Sequence, residues 1–191
     1  MSPPERVTFV LQERVMLDQQ FLKSVQDFIA NSFSISIIRR MGPSGTLDCI
    51  RTFLKKVDFA AISKKDPSQY AQTLDELTEN LRRTMPKGAD GWGVARKCLN
   101  LFFRDCLYNF YLREAYDLEK FERYLEIPLD SYVGRELRRE DGRLPRWQTV
   151  KGLTREESAK FQEVASEIAN RKKTNRVHLD VVYWRGEQNS K

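Results

Sequence analysis

Glycine, cysteine and histidine are all scarce in this chain. Its 191 residues include nine glycines, three cysteines and one histidine. So little glycine, beside 31% charged residues, favours helices over a turn-rich β fold. Cys49, Cys98 and Cys106 form no CxxC pair. They cannot by themselves build a zinc site or a four-cysteine iron–sulfur cluster, and no metal or other cofactor is expected. A thiol-poor chain without paired cysteines fits a reducing compartment, so a cytoplasmic location is expected. No run of 18 apolar residues occurs, and no basic segment followed by a short apolar one opens the sequence. Neither a membrane span nor signal-peptide secretion is expected. There is no internal repeat and no low-complexity tract.

What is present is a moderately basic, core-forming chain. Apolar residues make up 40%, which argues against disorder. Lys+Arg 33 against Asp+Glu 27 gives a net charge of +6. That balance fits a soluble surface and somewhat favours a polyanionic partner. The length suits one domain, or two small helical lobes sharing a core.

The periodicity predicts an all-α protein. A first helix is expected over 15–33, with Leu17, Phe21, Leu22, Val25, Phe28 and Ile29 at helical spacing. After a turn at 41–46, Thr46 or Ser44 is positioned to cap a helix carrying Leu47, Ile50, Phe53, Leu54 and Val57. Another helix should run from Pro67 to Arg83, and Pro86-Lys87-Gly88-Ala89-Asp90-Gly91 should end it in a solvent-facing turn. The most apolar stretch follows. Val94, Cys98, Phe102, Cys106 and Phe110 form one row, and Leu99, Phe103, Leu107 and Tyr111 the next. So wide an apolar face predicts a central, buried helix. Lys97, Asn100 and Arg104 make a separate polar stripe on it. Short helices are expected near 118–125 and 130–140. Thr154-Arg155-Glu156-Glu157 reads as a capping box for a helix to about Asn170, and 176–184 as a final helix.

Two segments carry chemistry. From about Gln69 to Tyr111 the pattern reads helix, glycine-bearing turn, helix. Such a hairpin exposes backbone N–H groups to a DNA phosphate, and Gly91 and Gly93 would allow close approach. Lys97 falls in the expected first turn, where the helix dipole disfavours an ammonium, and a neutral amine is what imine formation at a sugar carbon needs. Asp130 stands at an expected helix N-cap, where N–H groups favour a carboxylate able to stabilise a cationic sugar. On residue type alone, Lys97 also reads as an ordinary surface lysine and Asp130 as a structural cap. Periodicity does not bring them together.

Gly93-Val94-Ala95-Arg96-Lys97-Cys98 resembles the GVGRKT hairpin of endonuclease III-type glycosylases, and Leu129-Asp130-Ser131-Tyr132-Val133 resembles their VDTHV segment. With Pro128 matching the proline, the two are similar to the signature of the helix-hairpin-helix Gly/Pro/Asp DNA glycosylase superfamily. The longer stretch between Lys97 and Asp130, and the ending His178-Leu179-Asp180-Val181-Val182-Tyr183-Trp184, look more like the archaeal-type 8-oxoguanine glycosylases. Asp90-Gly91-Trp92 replaces the usual Leu-Pro-Gly entry, and the iron–sulfur cysteines are absent.

The resemblance implies a two-lobed helical fold with Lys97 as Schiff-base nucleophile and Asp130 as catalytic aspartate. It implies DNA contacts at Gly91, Gly93, Ala95 and Arg96. Arg135, with Arg138 and Arg139, fits either phosphate contact or a solvated helix face. Trp92, Trp147, Tyr183 and Trp184 are candidates to stack a flipped base, with His178 and Asp180 beside them. His178 also fits a structural hydrogen-bonder. The expected function is a monomeric, bifunctional DNA glycosylase and abasic-site lyase, acting on an oxidised purine in duplex DNA. Two other readings stay open: a non-catalytic DNA-binding protein of the same fold, and a helical protein-interaction module.

Overall fold

The computed structural model describes residues 18–38 and 42–188. Among these residues all regular structure is helical, as the periodicity predicts. The α-helices are α1 (Gln19–Ser32), α2 (Thr46–Leu54), α3 (Phe59–Ser63), α4 (Tyr70–Thr84), α5 (Trp92–Tyr108), α6 (Phe110–Ala115), α7 (Ser131–Glu140), α8 (Arg155–Arg171) and α9 (Leu179–Gln188). Short 3₁₀ segments at Pro67–Gln69, Leu118–Tyr124 and Arg176–His178 lead into or link them.

Helix α5 is the axis of the molecule. Its residues from Gly93 to Asn100 are all buried, as are Phe102, Phe103, Cys106 and Leu107. The two cysteines on it are fully covered, and burial pushes the Cys98 thiol up to about 12, so both thiols are core groups. The helix ends at Tyr108 because Asn109 caps the next one, its side-chain oxygen accepting from Leu112 N–H at 3.1 Å. The expected apolar rows therefore stop short. Phe110 and Tyr111 belong to α6 and lie exposed.

The apolar interior divides into two clusters. The larger gathers α1 to α6 and the 118–124 turn around α5. The smaller joins α7, α8 and α9 through Leu137, Phe161, Ala165, Ile168 and Leu179. Ile127 and Leu129, in the irregular strap 125–130, belong to the second cluster, while Leu125 belongs to the first. Trp147 packs against both.

Several local expectations change. The start of the first helix, before Asp18, and Met41 of the following turn lie outside the described residues. On α1 the inward face is Leu22, Gln26, Ile29 and Ala30, while Phe21 and Phe28 point out. The polar Gln26 turns inward because its amide donates to the carbonyls of Leu54 (3.0 Å) and Val57 (2.9 Å) at the end of α2. Neither Thr46 nor Ser44 caps α2. Gly45 takes that place with φ of 84°, a left-handed turn that glycine adopts freely. The Thr46 hydroxyl donates back to Pro43 O instead. The capping box on α8 is present, with Thr154 and Glu157 satisfying each other's backbone N–H.

Candidate active site

Lys97 leaves the buried face of α5 at the boundary between the two clusters. Gly91 is the N-cap of α5, so Lys97 lies in the second turn, not the first. The dipole effect fades within the first turn and does not act strongly there. Its Nζ stands 3.6 Å from Asp130 Oδ2 and donates to Ile37 O at 3.3 Å. The lysine side chain is 9% exposed and the aspartate 33%, so the pair opens to solvent on the Asp130 side.

Asp130 is the N-cap of α7, as expected. Its Oδ1 accepts from Tyr132 N–H at 2.9 Å and Val133 N–H at 3.0 Å. One carboxylate oxygen thus holds the helix while the other faces the lysine. The strap before it is held firmly. Gln162 of α8 grips both backbone groups of Ile127, accepting from its N–H at 3.1 Å and donating to its carbonyl at 2.8 Å.

Asp180 completes a small charged cluster. Burial raises its carboxyl pKa, and the nearby Asp130 charge adds to that, while Arg104 and Lys97 oppose it. It is ion-paired with Arg104, whose guanidinium also holds Asp105 at 2.7 Å. Each residue of the polar stripe read from the sequence has a partner: Lys97 with Asp130, Asn100 with Glu126, Arg104 with Asp180.

The expected hairpin contacts are different in kind. A Cβ at Gly93 would stand 2.3 Å from Val150 O and 2.7 Å from Leu153 Cβ. At Gly91 it would stand 3.1 Å from Lys151 O. The close approach these glycines permit is made by the chain's own loop at 150–153. Ala95 is fully buried. Arg96 is 5% exposed and clamped between Asp75 (2.8 Å) and Glu126 (bidentate, both 2.8 Å). Gly93, Ala95 and Arg96 are interior positions. Of the turn before them, Lys87, Gly88 and Asp90 face solvent, while Ala89 is buried. Arg135 is exposed on α7, and the Arg138 guanidinium donates to Leu144 O at 3.1 Å.

The candidate base-stacking groups are dispersed. Trp92 is partly buried, with the Arg96 guanidinium 5.1 Å from its ring centre. Trp147 lies against Gly134 and edge-on to Phe161, with its Nε1 buried and without a partner among the described residues. Trp184 is exposed and Tyr183 buried. His178 stacks on Tyr108 and uses both ring nitrogens, one with the Tyr108 hydroxyl and one with Glu122, each at 2.8 Å. It is a structural hydrogen-bonder, the second of its two readings. Among the described residues no group of His, Cys, Asp and Glu is placed to hold a metal ion. Among the described residues no helix is long and apolar enough to cross a membrane.

Sequence reasoning missed Glu126, Gln162 and the Ile37 carbonyl. Glu126 sits just before the Ile-Pro-Leu-Asp run, yet its partners Arg96 and Asn100 are far back in the chain, and no spacing signals them. Compared with known proteins, the chain matches no family model, no curated protein and no solved structure.

Proposed function

We propose that this protein is a DNA glycosylase with abasic-site lyase activity, using Lys97 as nucleophile and Asp130 as its charged partner on an oxidised purine in duplex DNA. The observation that carries the reading is the approach of Lys97 Nζ to Asp130 Oδ2, 3.6 Å apart, the lysine buried and the aspartate partly exposed. A buried lysine beside a helix-capping aspartate is a suitable pair for attack on a sugar carbon. Once the Lys97 ammonium has given a proton to solvent, the Nζ lone pair forms a bond to C1′ as the glycosidic bond breaks, and the electrons of that bond leave with the base, which takes up a proton. Nζ loses a proton, and the C1′–O4′ bond opens with its electrons going to O4′, which takes up a proton, giving an imine. Loss of a 2′ proton then expels the 3′ phosphate. The Asp130 carboxylate offsets the positive charge that develops on the sugar.

Borohydride reduction tests this reading, because it converts the imine to a stable amine linking protein and DNA. Wild-type protein should form that adduct on duplexes carrying an oxidised purine or an abasic site. Lys97→Gln should form none while still binding the duplex. A wild type that binds but never traps would remove the catalytic reading.

A second reading, a helical protein-interaction module, draws support from exposed apolar residues on α1, α6 and the turn after α1. Phe28, Ile35 and Phe110 are 75%, 73% and 61% exposed. The same trapping experiment separates it from the first.

A further inference from the structure

We infer that Glu126 is a positioning residue that sets the approach of Asp130 to Lys97. Its catalytic consequence rests on the Schiff-base reading above; its geometry does not. Glu126 lies four residues before Asp130, inside the strap that crosses from the first cluster to the second. Its two oxygens accept three hydrogen bonds from α5: Arg96 Nε and Nη2, each at 2.8 Å, and Asn100 Nδ2 at 3.0 Å. Those donors stand one residue before Lys97 and three after it. The strap is thus pinned to the stretch of α5 that presents the lysine.

Other contacts make the pin rigid. Arg176 donates to the carbonyls of Tyr124 and Leu125, both at 2.9 Å, and so fixes the strap's entry. Gln162 fixes Ile127 on both backbone groups. Arg96 is itself held from behind by Asp75 and Thr78. Asn100 leaves its side-chain oxygen buried without a partner among the described residues while its amide donates to Glu126. A buried polar atom left unpaired is costly, so this contact favours geometry over stability. Each end of the 3.6 Å approach is therefore set by the same carboxylate. A misplacement of about 1 Å at such a pair costs on the order of a hundredfold in rate.

Two readouts on the full chain test the inference. The first needs no DNA: reductive methylation of Lys97 with formaldehyde and a borane, followed by mass spectrometry. Glu126→Gln keeps the side chain's length but loses the bidentate pairing, and should let Lys97 react several-fold faster than in wild type. Asp75→Asn loosens Arg96 from the other side but leaves the Glu126 hydrogen bonds in place, and should speed Lys97 labelling much less than Glu126→Gln does. The second readout is the single-turnover rate of borohydride trapping on an abasic duplex. Glu126→Gln should lower that rate constant on the order of a hundredfold with duplex affinity unchanged, whereas Asp75→Asn should not. If Glu126→Gln does not fold, Gln162→Met, which frees the strap at Ile127, should give the same two shifts. Unchanged Lys97 labelling in these strap variants, an equal change in Asp75→Asn, or faster labelling with an unaltered trapping rate would each overturn the inference. A wild type that traps nothing would overturn the Schiff-base reading, and the labelling comparison would still decide the positioning role.

Discussion

Asp130 does two things with two oxygens, and substitution can separate them. Oδ1 caps α7 through two N–H groups, while Oδ2 faces Lys97. Asparagine also caps well, so Asp130→Asn should leave the melting temperature near that of wild type, whereas Asp130→Ala should cost about 1 kcal/mol of stability. Base removal should slow on the order of a hundredfold in Asp130→Asn, or about 3 kcal/mol of barrier, as charge opposite the developing cation is lost. Equal rates for Asp130→Asn and wild type would assign the aspartate to the cap alone. The cap itself was legible in the sequence, because a carboxylate before a helical run is a local signal. The state of Arg96 was not. The resemblance implies a DNA contact there, and only the fold brings Asp75 and Glu126 to it.

At the scale of elements, the junction of α5 with the loop at 150–153 is the most demanding contact. A methyl group at Gly93 would run into the Val150 carbonyl, which is backbone and cannot swing away. Gly93→Ala should therefore destabilise the protein by about 1–3 kcal/mol, the usual cost of overpacking, read as a drop in melting temperature. A variant as stable as wild type would mean the loop yields freely. The glycine-bearing turn and the long helices α4, α5 and α8 were legible, since their periodicity and breaks are local. The loop that lies over the glycines was not. Its approach depends on how α7 and α8 dock, which no window of sequence encodes. The inward Gln26 was hidden for a similar reason: its acceptors are the free carbonyls at the end of α2, a helix further along the chain.

For the whole molecule, buried charge sets the acid limit. Burial alone would raise the Glu126 carboxyl, but hydrogen bonds and charge from Arg96, with Asn100, more than offset it and hold it below the usual 4.5. An acid held low in the folded state binds fewer protons there than when unfolded. Its contribution is present above about pH 4.5 and drains away as pH falls through the folded value. Burial is the largest single effect on Glu122 and raises it, but the hydrogen bonds from His178 and Asn175 with nearby positive charge together outweigh it and hold the carboxyl low, so it acts in the same sense. Glu126→Gln should thus flatten the loss of thermal stability between about pH 5 and about pH 3, even though the variant starts from a lower melting temperature. A slope as steep as that of wild type would assign the acid limit to other carboxylates. The helical class of the molecule was legible from its scarce glycine and its periodicity. Two small lobes sharing a core were among the expectations, but the boundary between the two clusters was not legible, because it arises where the strap changes sides between Leu125 and Ile127.

Trp147 spans that division. Its indole lies on Gly134 and Phe161 of the second cluster and also against the first, with the ring nitrogen sealed from solvent. The chain's other two tryptophans are a half-covered Trp92 and an exposed Trp184. Trp92 and Trp147 are both half-buried, so the short-wavelength emission of this protein should come from these two rings, of which only Trp147 packs against both halves of the core. Its colour is a built-in strain gauge: any motion that parts the two halves, whether unfolding or the opening a substrate would require, must wet Trp147 and shift its light to the red.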